Sequence, residues 1–189
     1  PSSIQFQDVS AQAGIDFRHE NGGTVPIVIY ETVPPGAAMF DCDGDGDLDL
    51  YAVQSGHRRF PAPAGTAPLT GRLFRNDGGG HFTDVGREAG VDDDRFGTSA
   101  AFFDYDADGA LDLFVANYVT FDPAKIPSKG DPNQPCLFRG LTVTCGPHGL
   151  PGAVDILYHN NGDGTFTDQT VQAGLFIEGA YYGLGGIAS

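Results

Sequence analysis

The chain has 189 residues, with 28 Gly, 13 Pro and a formal net charge of -15. That much Gly and Pro excludes a helix-rich fold, and the acidity argues against nucleic acid as a partner. No apolar run approaches the ~20 residues that span a bilayer, and no signal peptide is visible at Pro1, so the chain reads as a mature or trimmed product.

The first recognisable stretch is Phe6-Gln7-Asp8-Val9-Ser10-Ala11-Gln12-Ala13-Gly14-Ile15. It returns at 82–91 and at 166–175 as F-x-D-x-x-x-x-A-G followed by an aliphatic residue. Three copies mark a repeat protein. Each copy reads as a strand and then a short helical turn ended by Gly in a left-handed cap.

Residues 36–40, Gly-Ala-Ala-Met-Phe, form a predicted apolar strand. It runs into Asp41-Cys42-Asp43-Gly44-Asp45-Gly46-Asp47-Leu48-Asp49, and a second apolar stretch follows. The strand at 97–103 runs likewise into Asp104-Tyr105-Asp106-Ala107-Asp108-Gly109-Ala110-Leu111-Asp112. The shared pattern is D-x-D-x-D-G-x-x-D. Ca²⁺ takes about 6–8 oxygens at roughly 2.3–2.6 Å, so several carboxylates must converge from one tight turn.

Asp41, Asp43 and Asp45 can point inward, Gly46 lets the chain reverse, the carbonyl of Asp47 adds an oxygen, and Asp49 reaches in from the next strand. Asp104, Asp106, Asp108, the carbonyl of Ala110 and Asp112 repeat these roles. An EF-hand would need Glu at position 12, where this chain has Ala52 and Val115. The expectation is two strand-loop-strand sites and about two Ca²⁺ per chain. A single such loop also reads as an acidic surface turn, but the second copy argues for the ion. Nine of the 25 acidic residues lie in these loops, and two Ca²⁺ would return four positive charges.

A second echo pairs Leu73-Phe74-Arg75-Asn76-Asp77-Gly78-Gly79-Gly80-His81 with Leu157-Tyr158-His159-Asn160-Asn161-Gly162-Asp163-Gly164-Thr165. Asn, Asp and Gly tolerate positive φ and make hairpin turns, which makes Asp163 a turn residue. The unit is therefore four strands with the acidic loop between the first two. Such units read as four-stranded antiparallel blades of an all-β propeller. Blade 1 covers 36–91, and blade 2 covers 96–175 with an insertion at 118–154. Residues 1–15 give the outer strand of a closing blade, and 181–189 the first strand of a third, cut one residue before its first Asp. Propellers close with about 4–8 blades. About two blades plus flanking strands thus read as part of a longer ring whose remaining blades are partners missing from this sequence.

Cys136 and Cys145 bracket a Gly-containing stretch within the 118–154 insertion. A disulfide between them would stiffen a loop with little core and imply an oxidising compartment, and two free thiols is the other reading. Cys42, at a non-liganding loop position, reads as a small packed residue. Candidate catalytic groups are His19-Glu20, His57-Arg58-Arg59 and His148, with no G-x-S-x-G, H-E-x-x-H or phosphate-loop pattern beside them.

The three F-x-D copies, the two acidic loops, Asn160-Asn161-Gly162-Asp163-Gly164-Thr165-Phe166 and the Cys136 to Gly152 stretch resemble the FG-GAP/VCBS-repeat propellers of the cartilage-acidic-protein type, which often carry an ASPIC/UnbV domain. The calcium loops are also similar to those of integrin α-subunit heads. The resemblance implies a secreted, cell-surface or periplasmic propeller in which calcium ties together the first two strands of each blade. The expected function is a non-catalytic adhesion scaffold that binds proteins or glycans through surface loops. An accessory subunit of a surface filament or membrane complex, and a propeller-face hydrolase or lyase, are the alternatives.

Overall fold

The computed structural model describes residues 3–20, 33–55, 69–120, 137–142, 147, 150–177 and 181–185. Among these, two four-stranded antiparallel sheets dominate. The first has strands β1 (Ala37–Phe40), β2 (Asp49–Ala52), β3 (Arg72–Asn76) and β4 (Phe82–Asp84) in the order β1-β2-β3-β4. A single helical turn, α1 (Gly86–Ala89), follows it. The second sheet has β5 (Gly97–Phe103), β6 (Asp112–Asn117), β9 (Ile156–Asn160) and β10 (Phe166–Asp168) in the order β5-β6-β9-β10. Between β6 and β9, a two-stranded ribbon pairs β7 (Leu137–Phe138) with β8 (Leu141–Thr142). The architecture is all-β, with two four-stranded blades that do not close into a ring.

Each blade is a meander because its loops match its ladders. The acidic loop joins the pair Phe40↔Asp49 in one sheet and Phe103↔Asp112 in the other, so the two loops hold the same position. The outer hairpins turn at Asn76↔Phe82 and Asn160↔Phe166. Gly78, Gly80, Gly162 and Gly164 there have φ of 78°, 77°, 75° and 83°, the left-handed region that glycine enters without steric cost. Asp163 accepts hydrogen bonds from the Thr165 N–H at 3.0 Å and the Thr165 hydroxyl at 2.6 Å, which identifies it as a turn residue.

The core lies between the two sheets. Tyr51, Leu73, Leu113, Val115 and Ile156 are essentially inaccessible, and Phe40 of β1 stacks on Phe102 of β5. Burying a side chain of this size contributes about 1.5–3 kcal/mol. The buried ladder residues of both blades therefore share one interior, and the innermost strands β1 and β5 are neighbours.

The F-x-D-x-x-x-x-A-G copies work as corners. Asp8, Asp84 and Asp168 each accept the N–H two residues ahead, from Ser10 at 3.0 Å, Gly86 at 3.1 Å and Thr170 at 2.9 Å. The terminal glycines Gly14, Gly90 and Gly174 have φ of 82°, 80° and 74°. Gly14 and Gly90 also lie against the Phe82 and Phe166 carbonyls that open the next outer strand.

The described residues differ from the expected strands at both ends. Residues 3–9 belong to no sheet, and Ile4 and Phe6 are exposed. A strand needs a ladder partner, and the nearest link is the Phe82 N–H donating to the Ala13 carbonyl at 2.7 Å. Residues 181–185 are also not a strand. Gly183 nevertheless donates to the Asn117 carbonyl at 2.9 Å, as Gly97 does to the corresponding Gln54 carbonyl at 3.0 Å.

The insertion is clasped where it leaves the blade, by a Val119↔Gly152 bridge and a small apolar cluster of Phe96, Tyr118, Val119 and Leu150. Cys136, Cys145, His57, Arg58, Arg59 and His148 lie outside the described residues.

Candidate metal sites

In the first loop, Asp41 organises the turn. Its Oδ1 accepts the N–H groups of Gly44 at 2.8 Å and Asp45 at 3.1 Å, and its Oδ2 accepts that of Gly46 at 2.9 Å. The chain can wrap so tightly because Gly44 and Gly46 have φ of 77° and 93°. Asp45 in turn accepts the Asp47 N–H at 2.9 Å. The result is a carboxylate cluster of Asp41, Asp43 and Asp45 whose ligand oxygens lie within 4.8 Å of one another. That is about the separation of opposite oxygens around a Ca²⁺ with bonds near 2.4 Å.

The second loop repeats this geometry. Asp104 accepts from the N–H groups of Asp108 at 3.1 Å and Gly109 at 3.0 Å, and Asp108 accepts from Ala110 at 2.8 Å. Asp104, Asp106 and Asp108 form the matching cluster. Ala107 takes the place of Gly44 and keeps its positive φ, at 61°.

Asp49 and Asp112 stand one step behind these clusters. Asp49 is buried; its Oδ2 accepts the Cys42 N–H at 2.8 Å and its Oδ1 the Asn76 N–H at 2.8 Å. Asp112 is likewise buried and accepts from Tyr105 at 3.0 Å and Asn160 at 2.8 Å. Each carboxylate thus ties the start of its loop to the third strand of its blade. A carboxylate oxygen carries two lone pairs, so accepting an N–H leaves one for a cation. Asp112 joins Asp106 and His159 in a third cluster, whereas Asp49 and the Asp47 side chain are outside the first.

The electrostatics favour a cation. Desolvation and repulsion from Asp45 and Asp49 push the Asp43 carboxyl above its ordinary value. An ion of charge +2 removes that repulsion. The donor sets are mainly hard carboxylate oxygens, which suit Ca²⁺, and the carbonyls of Asp47 and Ala110 stand at the position where such a loop adds a backbone oxygen. When bound, Ca²⁺ would supply a fixed positive charge and a crosslink between the first two strands.

The two loops are also joined to each other, a feature that sequence reasoning missed. Buried Asn160 donates its Nδ2 to the Cys42 carbonyl of the first loop and to the Leu111 carbonyl of the second, both at 3.1 Å. Asn76 makes the corresponding bond to Leu48 within its own blade at 3.2 Å. The available signal was the shared Asn in the two hairpin echoes. Cys42 is a buried free thiol, and burial pushes its pKa up, away from reactivity. His19 is half-buried with Nε2 unbonded among the described residues, and burial lowers its pKa.

Antiparallel four-stranded blades that each carry an acidic loop between the first two strands define a class of repeat. Residues 41–115, from the first Asp of the first loop to β6, match the family model of the FG-GAP-like repeat. No curated protein matches the chain.

Proposed function

We propose that this chain is a calcium-stabilised part of a β-propeller that works outside the cytoplasm as a non-catalytic scaffold, binding other proteins or glycans. The observation that carries the reading is the double one: two loops in equivalent positions of two blades each converge three carboxylates within the span of one Ca²⁺. The FG-GAP-like match over the same residues supports an interaction scaffold. Among the described residues no helix is long and apolar enough to cross a membrane.

Calcium acts here through linkage. An ion that binds only the folded state adds RT ln(1 + [L]/Kd), about 2.7 kcal/mol at a hundredfold excess over Kd. Affinities of about 10⁻⁴–10⁻³ M suffice in extracellular modules. The test is thermal unfolding in chelator and in millimolar Ca²⁺. The wild type gains several degrees with calcium, and the Asp45→Ala, Asp108→Ala double variant gains none. An equal calcium gain in the double variant would refute the reading.

A further inference from the structure

Asn160 belongs to blade 2 but serves both acidic loops, and its carboxamide is fully used. Besides the two Nδ2 bonds to the Cys42 and Leu111 carbonyls, its Oδ1 accepts the Gly162 N–H at 3.0 Å. Both carbonyls adjoin ion-binding positions, since Cys42 lies between Asp41 and Asp43, and Leu111 follows Ala110. The bonds continue at either end. The Cys42 N–H donates to Asp49 at 2.8 Å, the Asn160 N–H donates to Asp112 at 2.8 Å, and Asp112 accepts the Tyr105 N–H at 3.0 Å. A series of hydrogen bonds therefore runs from the anchor of one loop to the anchor of the other, through a side chain that is 3 % exposed. The stack of Phe40 on Phe102 holds together the two strand ends that lead into the loops.

We propose that Asn160 is a positioning residue that couples the two loops, so that Ca²⁺ in either one raises the affinity of the other. This coupling rests on the reading of both loops as calcium sites and adds their regulation. An ion that draws in the carboxylates flanking Cys42, or the carbonyl of Ala110, fixes the carbonyl that Asn160 holds. Because the bonds of the buried carboxamide are directional, the carbonyl of the other loop is fixed with it, and the second ion meets a loop already partly ordered. Such coupling is reciprocal, with factors of about 5–150 typical. Direct repulsion between the ions opposes it, but physiological salt screens exposed charges beyond roughly 8 Å and leaves a buried bonded path largely unaffected.

The test is calorimetric titration of the full chain with CaCl2 in physiological salt. Asp45→Ala reports the second loop alone, and Asp108→Ala the first. The coupling factor is the wild type's overall constant for two ions divided by the product of these two single-loop constants. A factor of about five or more is expected, falling below about two when Asn160→Ala is added to all three proteins. If Asn160 were only structural, its loss would weaken each loop and leave the factor unchanged. A wild-type factor of one, or a factor that survives Asn160→Ala, overturns the proposal. Two ions bound without coupling would leave the calcium reading intact, whereas no binding in the wild type would refute both. Amide hydrogen exchange needs no change at Asn160. With calcium in the second loop alone, in Asp45→Ala, the Cys42 and Gly44 amides of the first loop should exchange at least about threefold more slowly. Unchanged exchange there excludes the coupling.

Discussion

Blade 1 has Cys42, Gly44 and Arg75 where blade 2 has Tyr105, Ala107 and His159, yet the two loops follow the same path. What they share is narrower than the motif. Asp41 and Asp104 collect the turn's N–H groups, Gly46 and Gly109 supply φ of 93° and 95°, and Asp49 and Asp112 anchor the loop to the third strand. The comparison separates residues that build the loop from residues free to vary its chemistry. It also shows that three of the four shared carboxylate positions accept backbone N–H groups before any ion arrives.

The largest break in this comparison comes from the anchors. Asp49→Ala and Asp112→Ala each remove two bonds from backbone N–H groups to a carboxylate, worth about 1.5–3 kcal/mol apiece, and Asp112→Ala also removes the contact with His159, so urea unfolding in chelator should show losses of several kcal/mol. Asp45→Ala, exposed and in the ion cluster, should change stability little under the same conditions. Equal losses in the two classes would erase the distinction between anchor and ligand.

Next in size is the contact between blades. A Cβ at Gly97 would come within 2.5 Å of Val53 Cγ1 and 3.0 Å of the Gln54 carbonyl, so Gly97→Ala should cost about 1–3 kcal/mol by overpacking. Gly44 has nothing near its Cβ position, and Gly44→Ala tests backbone strain alone. Ala107→Gly is the converse. It relieves a left-handed alanine and should raise blade 2 stability by about 0.5–1 kcal/mol, read as a small rise in melting temperature.

The smallest effect concerns pH. Burial pushes the Asp155 carboxyl above its ordinary value, against the Asn117 N–H that donates to it at 2.7 Å. A raised folded-state pKa means that the folded protein holds this proton where the unfolded chain has lost it. The stability linked to that proton is present below the unfolded carboxylate value and lost as pH rises through the folded one. Asp155→Asn should therefore flatten the fall in stability that begins just above the ordinary Asp pKa. Melting curves of the two proteins across that window should diverge as pH rises.

Both blades, the equivalent positions of their loops and the turn role of Asp163 were legible because short-range chemistry repeats: spaced carboxylates, glycines at positive φ and apolar alternation. The F-x-D copies were legible as repeats, but the task of their Asp was not, since an N–H bond two residues ahead leaves no mark beyond the residue itself. His159 and Asn160 were hidden for a different reason. They reach the loops across the ladder from 47 and 118 residues away, so their roles arise only when β6 pairs with β9 and the blades pack. At the ends, the alignment of Gly183 with Gly97 names a contact rather than a strand, because a ladder depends on its neighbour.

The most direct test of the two-loop account is the number of ions bound per chain, measured by native mass spectrometry in millimolar Ca²⁺. Two ions are expected for the wild type, one for Asp45→Ala, one for Asp108→Ala and none for the double variant. A count that stays the same across the four proteins would contradict that expectation.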